Sequence, residues 1–537
     1  MNDKLTFSKD NHTVVKGINQ NMNAQQLKDL EKELWGAADN LRANSKLTAA
    51  EYKDPVLGLI LLRFAQNRFE EAKKKLDLPV NPRTGEARAA TKDDFKASSV
   101  LFLPDESKYE YLANLPESED ISDALNNAMR LVEAENTDLS GILPKSYQEL
   151  DSDLLKELIR VFNTEAVRSI TGDVFGRIYE YFLMKFSMSG AGAQEGGEFF
   201  TPPSLVELIV NFIEPDHGII HDPACGSGGM FVQTGHFVEN HTNQSVNEAI
   251  TVYGTELKTN NTRLAKMNLA IHGIEGKIIE DNSFYSNPHN LTGKCDFVMA
   301  NPPFNVKKID KNKDFVKEDP RLPFGTPNND NGNYMWIQYF HSYLNDNGRA
   351  GFVMASSATD AGGSEKLIRQ QLIETGDVEA IVSVGNNFFY TRSLPCHVWF
   401  LNKNKKDKDS ILMIDSRNTF RKVNPTINDF SPDQLEGLTT IIKSYRGESV
   451  DFTANEWLTS TFEGGSYEDV EGLCKVANKD DIIENDYSLT PGRYVGFSIQ
   501  IDEDFDYQGR MSEIHDELAK LNIESDELMQ AIQGLKL

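Results

Sequence analysis

The chain divides by the period of its apolar residues. Up to about residue 150 the spacing is helical. Leu27, Leu30, Leu34, Trp35, Ala38 and Leu41 fall on one stripe, and Val56, Leu57, Leu59, Ile60, Leu61 and Phe64 make a second helix that is apolar nearly all round. Lys73, Lys74 and Lys75 follow it, where a helix C-terminus favours cations. Residues 81–85 (Asn-Pro-Arg-Thr-Gly) read as a loop. The plain reading of this part is a helical packing module without chemistry. Helical spacing continues through 154–162 and 174–186, and the second of these is apolar on most faces, so burial is expected. Residues 187–197, rich in glycine and serine, read as a flexible link into Glu198-Phe199-Phe200-Thr201-Pro202-Pro203. Thr201 suits an N-cap and Pro202 a first helical position for a helix over 204–212.

From residue 218 the period changes. Short apolar runs at 218–221, 251–254, 277–279, 297–300, 350–354, 378–384 and 397–402 read as strands. Helical patterns at 228–239, 260–272, 334–343 and 364–374 fill the gaps. This alternation predicts an α/β fold, a doubly wound, Rossmann-like parallel sheet, behind an N-terminal helical domain. After a basic run (Lys403, Lys405, Lys406, Lys408) the chain becomes acidic and less regular. Met511, Ile514, Leu518 and Leu521 then form an a/d-like seam, and Ile532 and Leu535 extend it beyond a break at Glu524-Ser525. The tail reads as a helix pair or coiled coil, with a single amphipathic helix packed on its own domain as the competing reading. The expected domains are 1–155 (helical), 156–480 (the sheet) and 481–537 (a C-terminal helical tail for subunit docking).

A chain of 537 residues fits two to four domains of about 150 residues each. Its 39% hydrophobic and 26% charged residues place it among soluble globular proteins. No apolar run reaches the roughly 18 residues of a membrane helix. The N-terminal residues have no apolar secretory core. Cys225, Cys295, Cys396 and Cys474 lie far apart without a C-x-x-C pair, which argues against a zinc site or a disulfide framework; no metal is expected, and a reducing cytoplasm fits. The net charge of −27 opposes DNA, whose binders carry basic faces. A DNA-directed activity would need a local basic groove or a partner subunit.

Candidate chemistry gathers at strand ends. Ile219-Ile220-His221 leads into Asp222-Pro223-Ala224-Cys225-Gly226-Ser227-Gly228-Gly229 and then a helix. Glycine lets a ligand approach the backbone closely. The spacing departs from the dinucleotide fingerprint. Asp222 would repel a pyrophosphate but attract a cation, so S-adenosylmethionine, with its sulfonium and α-ammonium, suits the loop better than NAD. Glu256 closes the second strand, where an acid accepts ribose hydroxyls. Asn282 closes the third, where an amide can bond an adenine edge with Phe284 nearby. Asn301-Pro302-Pro303-Phe304 ends the fourth. Because proline lacks an N–H, this end presents acceptors, the Asn301 side-chain oxygen and the Pro302 carbonyl, beside an aromatic ring. That set suits an exocyclic amino group on a planar base; a plain Asn-Pro turn is the competing reading. An α/β sheet brings these ends to one edge, where ligands bind.

These residues resemble the modification (methyltransferase) subunits of type I restriction-modification systems, which methylate adenine N6 in DNA. The resemblance runs over nearly the whole chain. Residues 34–42 (Leu-Trp-Gly-Ala-Ala-Asp-Asn-Leu-Arg) and 52–60 (Tyr-Lys-Asp-Pro-Val-Leu-Gly-Leu-Ile) are similar to that family's N-terminal domain, and 172–181 (Gly-Asp-Val-Phe-Gly-Arg-Ile-Tyr-Glu-Tyr) to its domain junction. Glu198, Phe199, Phe200, Thr201, Pro202 and Pro203 resemble its first cofactor motif, and 487–495 the segment closing its methyltransferase region. The motif order, cofactor loop first and Asn-Pro-Pro-Phe second, matches the gamma class of amino-methyltransferases.

The resemblance implies a methyltransferase sheet. It implies S-adenosylmethionine held by Glu198 to Pro203, by Ser227, Gly228 and Gly229, and by Glu256; Asp222, Gly226 and Asn282 join this set from the residue reading. Cys225 replaces a small residue and reads as structural, and Asn282 replaces an aspartate with an amide that still bonds adenine. Asn301, Pro302, Pro303 and Phe304 are the candidate catalytic residues. Phe304 is the candidate stacking surface for a flipped base, with Phe388 or Phe389 opposite; core packing is the competing reading for the last two. The implied partners are double-stranded DNA, a separate specificity subunit flanked by two of these chains, and an optional restriction-translocase subunit, with no membrane. Methylation of cytosine N4 or of a protein glutamine uses a similar loop, and a non-catalytic assembly subunit is the alternative of another class. The intact Asn301 and glycine motifs argue against the last.

Overall fold

The structure is a computed structural model that describes residues 24–537 apart from 77, 79–87, 89, 97–99, 171, 190–199, 329, 390–392, 497–506 and 535–537. The loop expected at 81–85 and most of the link expected at 187–197 lie outside the described residues. Two compact units divide after Val495.

The first unit opens with helices Ala24–Ser45 and Ala49–Lys75. Thr48 starts the second with a capping box, its side chain accepting from the Glu51 N–H while Glu51 reaches back to the Thr48 N–H. The all-round apolar pattern of this helix follows from its place at the centre of the helical region, where Val56, Leu57, Leu59, Ile60 and Phe64 are all buried. The Tyr52 hydroxyl donates to the Ala38 carbonyl at 2.8 Å and ties the two helices together. Helix Gly172–Met188 packs on the same core, with Phe175 and Phe64 ring centroids 5.5 Å apart. That core also takes in Leu264, Met267 and Ile271 from helix Thr259–His272, and Arg263 Nε donates to the Ile142 carbonyl at 2.9 Å. Helical region and sheet region thus share buried surface. The boundary expected at residue 155 falls inside helix Ser152–Val161, because Leu154, Leu155, Leu158 and Ile159 belong to the helical core. The boundary expected at 480 falls inside helix Lys479–Glu484.

Eleven described strands follow: β1 Gly218–Asp222, β2 Ile250–Glu256, β3 Gly276–Glu280, β4 Cys295–Ala300, β5 Leu344–Ala355, β6 Val378–Val384, β7 Cys396–Asn402, β8 Ser410–Asp415, β9 Arg421–Asn424, β10 Ile427–Asp429 and β11 Cys474–Asn478. Nine form one sheet in the order β11-β8-β6-β7-β5-β4-β1-β2-β3, and β9 and β10 pair as a separate hairpin. Strands β3, β2, β1, β4 and β5 are mutually parallel. The expectation of a parallel sheet needs correction beyond them. Strand β7 is antiparallel to both β5 and β6, and β11 is antiparallel to β8. No helical pattern separates 384 from 396, and a parallel crossover needs a longer connection than this one. Along β4, Phe297 and Met299 face one core while Val298 and Ala300 face the other, the two-residue period of a sheet covered on both sides. Helix Pro203–Ile213 lies over the first face and helix Asn333–Tyr343 over the second.

The second unit holds one described helix, Tyr507–Gly534, which runs through Glu524-Ser525 without the expected break. It is a single helix and not a helix pair. Within this unit Met511, Leu518 and Leu521 are about half exposed. Leu535 lies outside the described residues.

Candidate active site

Because β1 to β4 are parallel neighbours, their C-terminal ends meet at one edge. The chain leaves β1 at Asp222, whose Oδ1 accepts from the Ala224 N–H at 2.9 Å. Gly226 and Gly228 have φ of 53° and 78°, a left-handed backbone that glycine adopts without a side-chain penalty. A Cβ at Gly226 or Gly229 would meet nothing within 4 Å, so the loop has open space above it. Helix Gly229–His241 begins there with Gly228 as its cap.

Glu256, at the end of β2, clamps this loop. Its Oε2 accepts from the Gly226 N–H at 2.9 Å and its Oε1 from the Lys258 N–H at 2.9 Å. Asn268 supports the loop from behind, donating from Nδ2 to the Ser227 carbonyl at 3.1 Å. At the end of β3 the Asn282 Oδ1 accepts from the Phe284 N–H at 3.0 Å, a local turn that fixes the amide. Phe284 is buried against Trp336, with centroids 4.5 Å apart.

Asn301 ends β4 half-buried and donates from Nδ2 to Thr201 Oγ1 at 3.0 Å. This corrects the expected cap: helix Pro203–Ile213 has Pro202 at its N-cap with no side-chain cap bond. Thr201 Oγ1 instead accepts from the Asn301 amide and fixes its orientation. Pro202 is buried, Pro203 exposed, and Phe200 packs partly on the helical core. Glu198 and Phe199 lie outside the described residues. After Phe304 the chain turns at Asn305, at φ 54°, whose Oδ1 accepts from both Asn331 and Asn333 Nδ2 at 3.0 Å. The Phe304 and Phe389 rings meet edge to face, 6.4 Å between centroids at 89°. Phe388 does not join them. It packs on Phe430 at 4.6 Å, and both Phe388 and Phe389 are buried in the same core, as the core reading expects.

The family model described as N-6 DNA Methylase matches residues 170–503, and the one described as HsdM N-terminal domain matches residues 30–162. The chain belongs to the N-6 DNA methylase family. It is 35% identical to the type I restriction enzyme MjaIX methylase subunit of Methanocaldococcus jannaschii over 532 residues, covering 94% of this chain and 91% of that protein. It is 34% identical to the HindI methylase subunit of Haemophilus influenzae, covering 73% of this chain and 87% of the relative. The fold is similar to a solved type I restriction-modification methyltransferase subunit from Streptococcus thermophilus, with a TM-score of 0.70 at 20% identity over 87% of this chain and 99% of that one.

Burial sets the electrostatics of the methylase edge. The Asp222 carboxyl is pushed well above the usual range by burial, against the Ala224 N–H bond and with help from the Glu256 charge. Burial, then Asp222 and Glu256, raise the Cys225 thiol, which is buried as its structural reading expects. One group at the edge escaped the sequence reading. Arg321, from the segment that follows Phe304, is fully buried with Asp319, their charged ends 2.7 Å apart. Its Nη1 donates to the Tyr343 hydroxyl at 2.7 Å and its Nη2 to the Ser283 carbonyl at 2.9 Å, while its guanidinium lies 4.0 Å from the Tyr339 ring centroid. Burial alone would lower this guanidinium, but the Asp319 bonds and the two tyrosines hold it above its ordinary range. The pair thereby ties the post-Phe304 segment to the residues after β3 and to helix Asn333–Tyr343. The signal in the sequence was a lone Asp-Pro-Arg in a polar stretch, too weak to single out.

Proposed function

We propose that this chain transfers a methyl group from S-adenosylmethionine to N6 of adenine in double-stranded DNA, as the modification subunit of a type I restriction-modification system whose separate specificity subunit chooses the site. The observation that carries the reading is the Asn301 amide, fixed by Thr201 at the end of β4, on the sheet edge that also bears the open glycine loop. Membership of an N-6 DNA methylase family favours adenine over cytosine N4 or a protein glutamine, and the intact acceptor site argues against a purely assembling role.

The residues fit the cofactor. Gly226 and Gly229 leave space that any side chain would fill, and among the described residues no cation acts on the buried Asp222 carboxyl. Glu198 to Pro203, Asp222, Gly226 to Gly229, Glu256 and Asn282 would hold it. When bound, S-adenosylmethionine supplies a methyl group activated by its sulfonium. The adenine N6 lone pair is delocalised into the ring and is a weak nucleophile. Asn301 Oδ1 and the Pro302 carbonyl accept its two hydrogens and favour a tetrahedral nitrogen, which localises the lone pair. As N6 gains the methyl group from the sulfonium, Asn301 Oδ1 and the Pro302 carbonyl would hold its protons, and the surplus proton would pass from there to water. This is positioning with electrostatic stabilisation, and it needs no strong base. The base must leave the duplex first, at a cost of a few kcal/mol, and Phe304 offers it a stacking face, with Phe389 beside it.

Exposed Lys307, Lys308, Lys313 and Lys317 follow the acceptor loop and supply local positive charge, though Asp310, Asp314 and Glu318 interleave with them. They do not offset the −27 of the chain. The purified chain should therefore bind S-adenosylmethionine yet barely methylate DNA, and N6-methyladenine should form at defined sites once two chains assemble with a specificity subunit. The test is a mass count of methylated bases with and without that subunit. Robust site-specific methylation by the chain alone would refute the division of labour.

Asp222 adds a pH dependence. Burial raises its carboxyl in the free protein, which favours the protonated form there. A cationic ligand beside it favours the carboxylate and expels that proton. Affinity should rise with pH until the free-protein value is passed, then level off. Calorimetry in two buffers of different ionisation enthalpy reads the proton release, and Asp222→Asn should abolish it. Proton-neutral binding by the wild type would remove Asp222 from the cationic end of the site.

A further inference from the structure

We infer that Glu180, His236 and His272 form a binding site for a divalent transition-metal cation of the zinc class. The site lies one turn beyond Asn268 on the helix that supports the cofactor loop and joins the helical region to the sheet region. One carboxylate oxygen and one ring nitrogen from each histidine lie within 4.8 Å of one another. They come from three separate helices: Gly172–Met188, Gly229–His241 and Thr259–His272.

His272 points to a ligand. Its side chain is only 7% exposed. Its Nδ1 lies 2.9 Å from the Asn268 carbonyl, so Nδ1 carries the hydrogen in the neutral ring and Nε2 keeps the lone pair. That Nε2 is buried without a hydrogen bond. It faces Glu180 Oε1 at 3.4 Å, a lone pair against a carboxylate oxygen. With a neutral ring these two acceptors are mismatched, and a metal ion or a second ring proton between them removes the mismatch. The backbone bond at Nδ1 is the arrangement that orients metal-ligating histidines and makes them more basic. The His236 ring packs edge to face on His272, 5.7 Å between centroids.

Gly176 makes the cluster sterically possible. It sits one turn before Glu180 on the same helix face. A Cβ there would come within 2.6 Å of His272 Nε2, so only glycine leaves the histidine its position. A glycine inside a helix is unfavourable relative to alanine, and room for a liganded imidazole is a reason to carry it.

Two imidazoles and one carboxylate suit zinc and its neighbours rather than magnesium or calcium, which prefer all-oxygen sets. Three protein ligands leave a fourth position for water. Glu180 is 39% exposed, which gives that position access to solvent. The ion would pin helix Gly172–Met188 of the helical core to helix Thr259–His272, whose Asn268 holds the Ser227 carbonyl of the glycine loop.

The full chain, stripped with EDTA and then passed through gel filtration after zinc loading, should retain about one zinc per chain. Cobalt in place of zinc should give the visible absorption of a low-symmetry four-coordinate site. The thermal unfolding temperature should be higher with zinc than with EDTA. His236→Gln, a half-buried and mild change, should lose the retained zinc and the zinc-dependent shift while keeping the far-UV circular dichroism of the wild type. Glu180→Gln should weaken retention at least tenfold, in the range that metal-site support residues show. Wild-type protein that retains no stoichiometric zinc, or a His236→Gln variant that retains as much as wild type, would overturn the site. So would stability that follows pH but not zinc, since a protonated His272–Glu180 pair would then explain the geometry.

Discussion

Asn301→Ala, assembled with the specificity subunit, is expected to slow adenine methylation by about 10²–10³-fold, the size of effect seen when one preorganised hydrogen-bonding group is lost from a transition state. Cofactor affinity and assembly should not change, because Asn301 lies at the end of β4 while the glycine loop is held by Glu256 and Asn268. The loss should fall on the single-turnover rate and not on the Michaelis constant for DNA, since the acceptor bonds strengthen only as the nitrogen becomes tetrahedral. Thr201→Val makes a graded companion. It removes the partner of the Asn301 amide, a hydrogen bond worth about 1 kcal/mol, and should cost several-fold in rate. Wild-type turnover in Asn301→Ala would remove the amide from the chemistry and return the motif to a turn.

Arg321→Met should have the largest effect on stability. It leaves Asp319, itself 1% exposed at the side chain, as a buried carboxylate without its partner. Removing one member of such a pair costs about 3–5 kcal/mol. The double variant Arg321→Met/Asp319→Leu should recover much of the loss, because replacing both charges with apolar groups of similar volume is often near neutral. Urea midpoints of the wild type, the two single variants and the double variant measure this coupling directly. Near-additive losses would show that Arg321 acts through its tyrosine and Ser283 contacts rather than through the ion pair. A softened Arg321 should also loosen the return of the chain from Phe304, so methylation and stability should fall together in the single variant.

Periodicity made the element list legible. The seven strands expected between 218 and 402 and the four helices between them all appear, with ends shifted by a few residues. Runs such as Phe297-Val298-Met299-Ala300 are long enough and apolar enough that burial on both faces is the only solution. Strands β8 and β11 were hidden because Ile411-Leu412-Met413-Ile414 follows a lysine-rich run, and because Cys474-Lys475-Val476-Ala477 is too short and mixed to stand out. Strand direction is not carried by period; it lay in the connections, where the helix-free stretch from 384 to 396 is too short for a parallel crossover and turns β7 antiparallel. The site divides the same way. Glycines, acids and the Asn-Pro-Pro-Phe run announce themselves by type, and the parallel strands bring their segments to one edge. Thr201 was misassigned because local capping chemistry and a long-range bond to Asn301, a hundred residues away, call for the same hydroxyl. Phe388 and Phe389 are adjacent, alike in sequence and both buried, and only the turn after β6 sets one ring against Phe430 and the other against Phe304.

The position of β7 bears on how the chain can be made. Strand β7 lies between β5 and β6, so the third of these three to be synthesised fills the slot between the first two. A nascent chain that has emerged through β6 carries a strand with no neighbour on the β5 side, and β5 itself presents an open edge of unpaired amides and carbonyls. The half of the sheet that bears the glycine loop and Asn301 is complete by then, since β1 to β5 pair among themselves. The other half must wait for the closing strand. On the ribosome, the transfer edge is therefore assembled before the sheet that steadies it is sealed, and the interval between residues 384 and 402 is when this chain is most exposed to pairing with the wrong partner.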